Sequence, residues 1–339
     1  MFAVYVSNAG SGDISVLRLD PATATLSPLQ RVEVGGEVMP LALSPDRRRL
    51  YAARRSEPRE ALSFAIDAAT GALAPLGAAP LPHSMAYIAT DRAGRYLLSA
   101  SYGGDQVAVN AVDADGVVAG APLQVIGTGR HAHAIQADPS NRYVFASTLG
   151  AGVLLQFRFD AASGRLEAND PPSIAPHATA SPRHFVFSPD GRFVYLLNEL
   201  DAKIDLLAFD AARGTLRTLQ TIDSLPPGFS GDPWASDLHL TPDGRFLYSS
   251  ERRSDTLALF RVDPASGVLA PLGHVATETQ PRGFGISPDG RFLVVAGQAS
   301  HHLRLYAIDG ETGALTALDR CAAGQGPNWI EIVAIRGSR

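Results

Sequence analysis

One cysteine, Cys321, is all the thiol chemistry that 339 residues contain. No internal disulfide framework and no thiolate metal cluster can form from it, and the residue reads as a small buried hydrophobe. A chain so poor in cysteine fits a reducing compartment. No apolar run approaches the roughly 18 residues that a bilayer-spanning helix needs. The opening segment MFAVYVSNAG has neither a basic stretch nor a cleavable apolar core, so the expected location is cytoplasmic, without membrane attachment. An excess of basic charge is also missing: 34 acidic against 29 basic residues leave a net charge of −5, which argues against nucleic acid as a partner. Any anionic substrate must then be held by locally placed arginines. Finally, no amphipathic segment of helical period reaches ten residues, and 32 glycines and 24 prolines would interrupt most that began.

What the chain does have is repetition. A turn motif recurs as SPDRR, TDRAGR, ADPSNR, SPDGR, TPDGR and SPDGR, with its arginine at Arg48, Arg95, Arg142, Arg192, Arg245 and Arg291. The intervals are 47, 47, 50, 53 and 46 residues. A second motif of the type D-A-A-T-G-A-L follows each turn, starting at residues 20, 67, 113, 160, 210, 263 and 309. Between them lie β-branched and aromatic runs such as FVFS, FVYLL and LLAF, punctuated by the Asp-Gly and Ser-Gly pairs that tight hairpins require. Each unit predicts a four-stranded antiparallel meander. A small sheet with apolar faces must pack on neighbours, so seven units predict a seven-bladed all-β propeller, one domain over residues 1–339. The segment GPNWIEIVA at 326 stops before a turn, while FAVYVSN at the start lacks a preceding strand. These two are expected to pair and close the ring, removing free sheet edges. Six blades with stray ends is the weaker alternative.

Equivalent positions of a repeat show where one blade departs from what structure alone asks. Nine residues before each turn arginine, where the inner strand begins, the chain carries Met39, Ala86, His133, Arg183, Ser236 and Arg282, with Asn328 in the last unit. Seven residues after each arginine, at the far end of the second strand, it carries Arg55, Tyr102, Leu149, Glu199, Arg252 and Gln298, with Ala9 in the first. Arg183 and Glu199 should therefore face each other across one hairpin. A solvated ion pair of this kind contributes under about 1 kcal/mol. The company of His133, Arg282, Asn328 and Gln298 on the same expected rim points instead to an anion-binding cleft. His131-Ala132-His133 and His301-His302 resemble metal ligands, but no carboxylate or cysteine spacing completes a site. Substrate contact suits His301 and His302 better, His239 reads as packing, and Asp237 stands between packing and substrate contact. No P-loop, dinucleotide fingerprint or nucleophile elbow occurs.

The stretches SPRHFVFSPDGRFVYLLNEL at 181, TETQPRGF at 277, AGQASHH at 296 and AGQGPNW at 323 resemble the bacterial 6-phosphogluconolactonases of the seven-bladed propeller lactonase family. Relatives in that family lactonize 3-carboxymuconate. The resemblance implies a catalytic set of His133, Arg183, Glu199 and Arg282, with Glu199 or His133 as general base. It further implies hydrolysis of 6-phospho-D-glucono-1,5-lactone to 6-phosphogluconate in the pentose phosphate pathway. Arg183 would orient the carboxylate and stabilise developing charge. Arg282, helped by Arg55, His301 and His302, would hold the phosphate, with Gln298, Asn328 and Asp237 as further substrate contacts. No metal, organic cofactor or obligate protein partner is called for. The segment GRHAHAIQ departs from the family, whose phosphogluconolactonases carry one histidine where this chain has His131 and His133. Alternatives are a lactonizing cycloisomerase, a hydrolase of another lactone, and a propeller serving as an interaction platform. The Trp-Asp dipeptides of such platforms are absent.

Overall fold

The repeated turn is held by the side chains of its first and third residues. Ser188 Oγ donates to Asp190 Oδ1 (2.6 Å) and accepts the Phe193 N–H (2.9 Å), while Asp190 Oδ1 also accepts the Arg192 N–H (3.1 Å). The same bonds recur at Ser44, Thr241 and Ser287. In the other two turns an aspartate, Asp91 or Asp138, stands four residues before the arginine in place of serine or threonine and accepts the N–H groups of the arginine and of the aromatic residue after it. Short polar side chains that bond their own backbone are the general reason such residues make turns.

The computed structural model describes residues 1–336. Among these, 28 strands form seven four-stranded sheets, and no helix occurs. Six sheets are meanders in chain order. The seventh is composite: Pro327–Ala334 pairs antiparallel with Phe2–Asn8, which continues to Asp13–Asp20 and Thr25–Glu33, as the sequence repeat requires. Burial falls from inside to outside within a sheet. Second strands such as Tyr143–Thr148 and Phe193–Asn198 are buried throughout, whereas outer strands such as Leu73–Pro80 and Thr25–Glu33 are largely exposed.

The described residues group into two compact units. One comprises Met1–Met39, Ile66–Ala74 and the described residues from Asp223; the other comprises Pro40–Ala65 and Pro75–Ile222. Within each, neighbouring sheets interdigitate. In the second unit Leu98, Val107 and Val109 of one sheet share a core with Ile135, Val144 and Phe157 of the next. In the first, Val4, Val6 and Leu17 pack with Val294, Leu303 and Leu305.

The two repeated motifs meet across sheet boundaries. Tyr143, directly after its turn arginine, donates its hydroxyl to Ala212 O (2.8 Å), and Arg142 reaches Ala211 O (2.6 Å) while lying 5.5 Å over the Tyr143 ring. Tyr96 bonds Ala162 O (2.9 Å) in the same manner, whereas Tyr51, Tyr5 and Tyr248, two positions further along their strands, bond the glycine of the motif itself, at Gly116 O (3.1 Å), Gly71 O (2.9 Å) and Gly313 O (2.9 Å). Burial pushes the Tyr51 hydroxyl up to about 12, so it stays a donor at any ordinary pH. The glycine of the second motif is needed here: Gly214 has φ 66°, and a Cβ on it would stand 2.0 Å from Tyr143 Cδ1.

A buried carboxylate braces another sheet. Glu278, 5 % exposed, accepts Arg320 Nε (2.8 Å), Arg320 NH2 (3.1 Å) and Ser300 Oγ (2.8 Å). Burial alone would raise its pKa, but the bonds from Arg320 and Ser300 and the charges of Arg320 and Arg304 outweigh that and hold it below the ordinary carboxylate value.

Two outcomes are expected. Gly214→Ala should lose about 2–4 kcal/mol in urea unfolding, from a left-handed backbone and an overpacked Tyr143; a loss within error would show that the contact yields freely. Because the folded pKa of Glu278 is depressed, its contribution is present above the unfolded carboxylate value and drains away as pH falls through the folded value. Glu278→Gln should therefore flatten the acid-side decline of the unfolding midpoint, and an unchanged slope would remove Glu278 from that role.

Candidate active site

The inner strands do not start regularly. Pairing with the second strand slips between Ala132 and Ala134, between Pro182 and Phe185, between Ala235 and Leu238, and between Pro281 and Gly283. These irregularities flank His133, Arg183, Ser236 and Arg282, the positions singled out by comparing repeats. A bulge re-aims the side chain it carries. Serines secure the distortion: Ser147 Oγ accepts the Ala134 N–H (2.9 Å) and donates to Arg183 O on the next inner strand (2.6 Å). Ser236 Oγ likewise donates to Arg282 O (2.5 Å).

In the second unit this backbone brings three of the predicted residues together. Arg183 Nε donates to Glu199 Oε2 at 2.6 Å, and His133 Nε2 lies 3.9 Å from the same oxygen. Arg183 is 2 % exposed, one of the largest fully buried side chains, and Glu199 is 9 % exposed. The solvated surface pair that residue types alone allow is thus replaced by a desolvated one. Glu199 is itself fixed by the backbone: its N–H donates to Ser181 O (2.9 Å), and the Ser181 N–H donates to Asn198 Oδ1 (2.9 Å). A row of rings runs on from His133. His133 meets His184 edge to face at 5.1 Å, and His184 meets Tyr87 at 5.2 Å. Tyr102 lies edge-on to His133 at 6.0 Å and stacks on His131 at 4.2 Å. Arg55 is half-buried in this same unit.

The other predicted residues belong to the first unit, where two of them serve the fold. Asn328 is 1 % exposed; its amide donates to Ser7 O (3.1 Å) and Gly326 O (3.1 Å), and its Oδ1 accepts Ser7 Oγ (3.1 Å). Asp237 is 8 % exposed and accepts the N–H groups of Leu238 (3.0 Å) and Phe284 (3.3 Å) besides His239 Nε2 (3.2 Å). In both, polar atoms that were expected to contact substrate bond neighbouring backbone. His239 packs edge-on against Phe284 at 4.8 Å, as its setting in an inner strand suggested. Arg282 is half-buried at the start of its strand. Gln298 accepts from Gln280 Nε2 (3.2 Å). His301 and His302 show opposite tautomers: His301 Nδ1 accepts the Gly326 N–H (3.1 Å), whereas His302 Nδ1 must donate to Ser300 O (2.6 Å).

Repeat comparison passed over Tyr102 and His184. Tyr102 occupies the same repeat position as Glu199, and that equivalence was the signal that could have found it. His184 carries none in sequence beyond adjacency to Arg183.

A family model described as "Lactonase, 7-bladed beta-propeller" matches residues 2–332. A 6-phosphogluconolactonase of Pectobacterium carotovorum is 42 % identical over 332 residues, covering 98 % of both chains. That of Cronobacter sakazakii is 40 % identical over the same share. Among solved structures, the periplasmic gluconolactonase of Pseudomonas aeruginosa is 33 % identical, with a TM-score of 0.91 over 98 % of this chain and 99 % of that one.

The buried pair makes a stability prediction. Glu199→Ala leaves Arg183 charged and desolvated, and should cost about 3–5 kcal/mol. Adding Arg183→Met should recover most of it. A single-variant loss under about 1 kcal/mol would place the pair among ordinary surface ion pairs.

Proposed function

The chain belongs to the seven-bladed β-propeller lactonase family, and on that premise we propose that it hydrolyses 6-phospho-D-glucono-1,5-lactone to 6-phosphogluconate. The observation that carries the reading is the convergence of His133 and Arg183 on one carboxylate oxygen of Glu199. The relatives at 40–42 % identity over the full length are named for this activity.

Lactone hydrolysis needs an attacking water, an acceptor for its proton and relief of charge on the carbonyl oxygen. The 3.9 Å between His133 Nε2 and Glu199 Oε2 allows one water to bond both atoms. Glu199 Oε2 already accepts the Arg183 N–H, so His133 is the better proton acceptor, and the carboxylate stabilises the imidazolium that results. Arg183 acts as the fixed counter-charge that holds Glu199 in place. The accepted proton then goes to the ring oxygen as the C1–O bond breaks.

A cytoplasmic location and a role in the pentose phosphate pathway form part of the same proposal. They are supported by the phosphate on the substrate, an anion that does not cross a bilayer unaided, and by the scarcity of cysteine.

With purified protein, saturable acid release from the phosphorylated lactone is expected, and His133→Gln should lower kcat by about 10²–10⁴. Turnover restricted to unphosphorylated gluconolactone, or to a carboxymuconate, would overturn the substrate assignment. A His133→Gln variant with undiminished kcat would overturn the assignment of the base.

A further inference from the structure

Most tyrosines of this protein spend their hydroxyl on the fold. Tyr5, Tyr51, Tyr96, Tyr143 and Tyr248 donate to backbone carbonyls, and Tyr87 accepts from Gln136 Nε2 (2.8 Å). The Tyr102 hydroxyl makes no hydrogen bond to any described residue. Its ring, in contrast, is held firmly. It lies parallel to the His131 imidazole, with centroids 4.2 Å and planes 5° apart, and edge-on to His133 at 6.0 Å.

The backbone of His131 is fixed where it makes this contact. Its φ is 62°, a left-handed value that costs a residue with a Cβ about 1–2 kcal/mol. In the terminal strand the equivalent position, two residues before Asn328, is Gly326, with φ 64° and no such cost. The His131 N–H is anchored on Asp105 Oδ1 (2.7 Å), and its Nδ1 bonds the Tyr102 carbonyl (3.2 Å). The same left-handed value and the same anchor recur two residues before Arg282, at Gln280 (φ 57°, N–H to Asp255 Oδ1 at 2.8 Å), so this backbone belongs to the repeat; what sets His131 apart is the ring it lays on a tyrosine whose hydroxyl the fold leaves alone.

Arg183, which residue types alone favour as the donor to a developing oxyanion, is 2 % exposed and already engaged by Glu199. Tyr102 is half-buried beside the same pair. Burial, and then the charge of Glu199, raise its pKa, with Arg130 opposing, so the phenol keeps its proton.

We propose that Tyr102 is a catalytic residue that donates its hydroxyl hydrogen bond to the lactone carbonyl oxygen as water adds to C1, with His131 as its positioning residue. The inference rests on the lactone-hydrolysis reading above. No bond to Tyr102 forms. The water oxygen bonds to C1, the carbonyl π pair moves onto oxygen under the Tyr102 O–H, and one water proton passes to His133. When the pair returns, the bond from C1 to the ring oxygen breaks and that oxygen takes the proton.

The test compares the unmodified enzyme with Tyr102→Phe, His131→Phe and His131→Gly on 6-phosphogluconolactone, with unfolding midpoints measured in parallel. Tyr102→Phe keeps the stack and loses the donor, so kcat should fall about 10²–10³ with little change in KM or midpoint. His131→Gly relieves the backbone while freeing the ring, so its midpoint should hold or rise while kcat falls. His131→Phe should lose less. Tyr102→Phe with kcat within threefold of an active parent would overturn the proposal while leaving the lactonase reading intact. A parent without any lactone turnover would overturn both.

Discussion

The contact between the aromatic residue after one turn arginine and the glycine-bearing turn of the following sheet is the constraint on which the architecture depends. A four-stranded sheet that is apolar on both faces has no stable existence alone, and apolar packing by itself does not set the pitch between neighbours. The tyrosine hydroxyl sets it. In Tyr143 and Ala212 and in Tyr96 and Ala162, one directional bond at 2.8–2.9 Å fixes how far one sheet slides on the next. Glycine at position 214 lets the ring sit against the backbone where any side chain would intrude. The turn arginine covers the ring from outside, which explains why it recurs on a protein with a net negative charge.

With neighbouring sheets tied together by these bonds, the inner strands can be irregular at their starts. The slips flanking His133 and Arg183 would destabilise an isolated hairpin. Here Ser147 satisfies the displaced Ala134 amide and grips the Arg183 carbonyl, tying two adjacent distortions together. The resulting ion pair is an unusual choice for a core. Replacing a buried charge pair by apolar residues of similar volume is often neutral or stabilising, so the energetics of folding do not explain Arg183 and Glu199. The proposed hydrolysis, which needs a preorganised carboxylate beside an imidazole, gives them a use.

Much of this was legible beforehand. The turn arginines and the D-x-x-x-G motifs are visible because each is chemically obligatory at its place in the repeat. Subtracting the repeat isolated His133, Arg183 and Glu199, since structure alone does not ask for charge at those positions. The same subtraction also isolated Asn328 and Asp237, whose polar atoms bond neighbouring backbone. A polar departure from the repeat can equally be a staple for backbone, and which role it plays depends on whether its oxygens and nitrogens are already taken. Tyr102 was missed for the opposite reason, because an aromatic residue at a strand end resembles packing.

The sequence by itself determined the all-β class, the sevenfold repeat, the pairing of the terminal strands and the positions at which side chains break the pattern. These are matters of periodicity and turn chemistry, which are local and therefore written along the chain. Only the tertiary structure decided that Arg183 is buried, that its partner oxygen also faces His133, and that the Asn328 amide bonds the Ser7 carbonyl. Burial and hydrogen-bond satisfaction depend on residues brought together from separate sheets, and no spacing within a single strand encodes them.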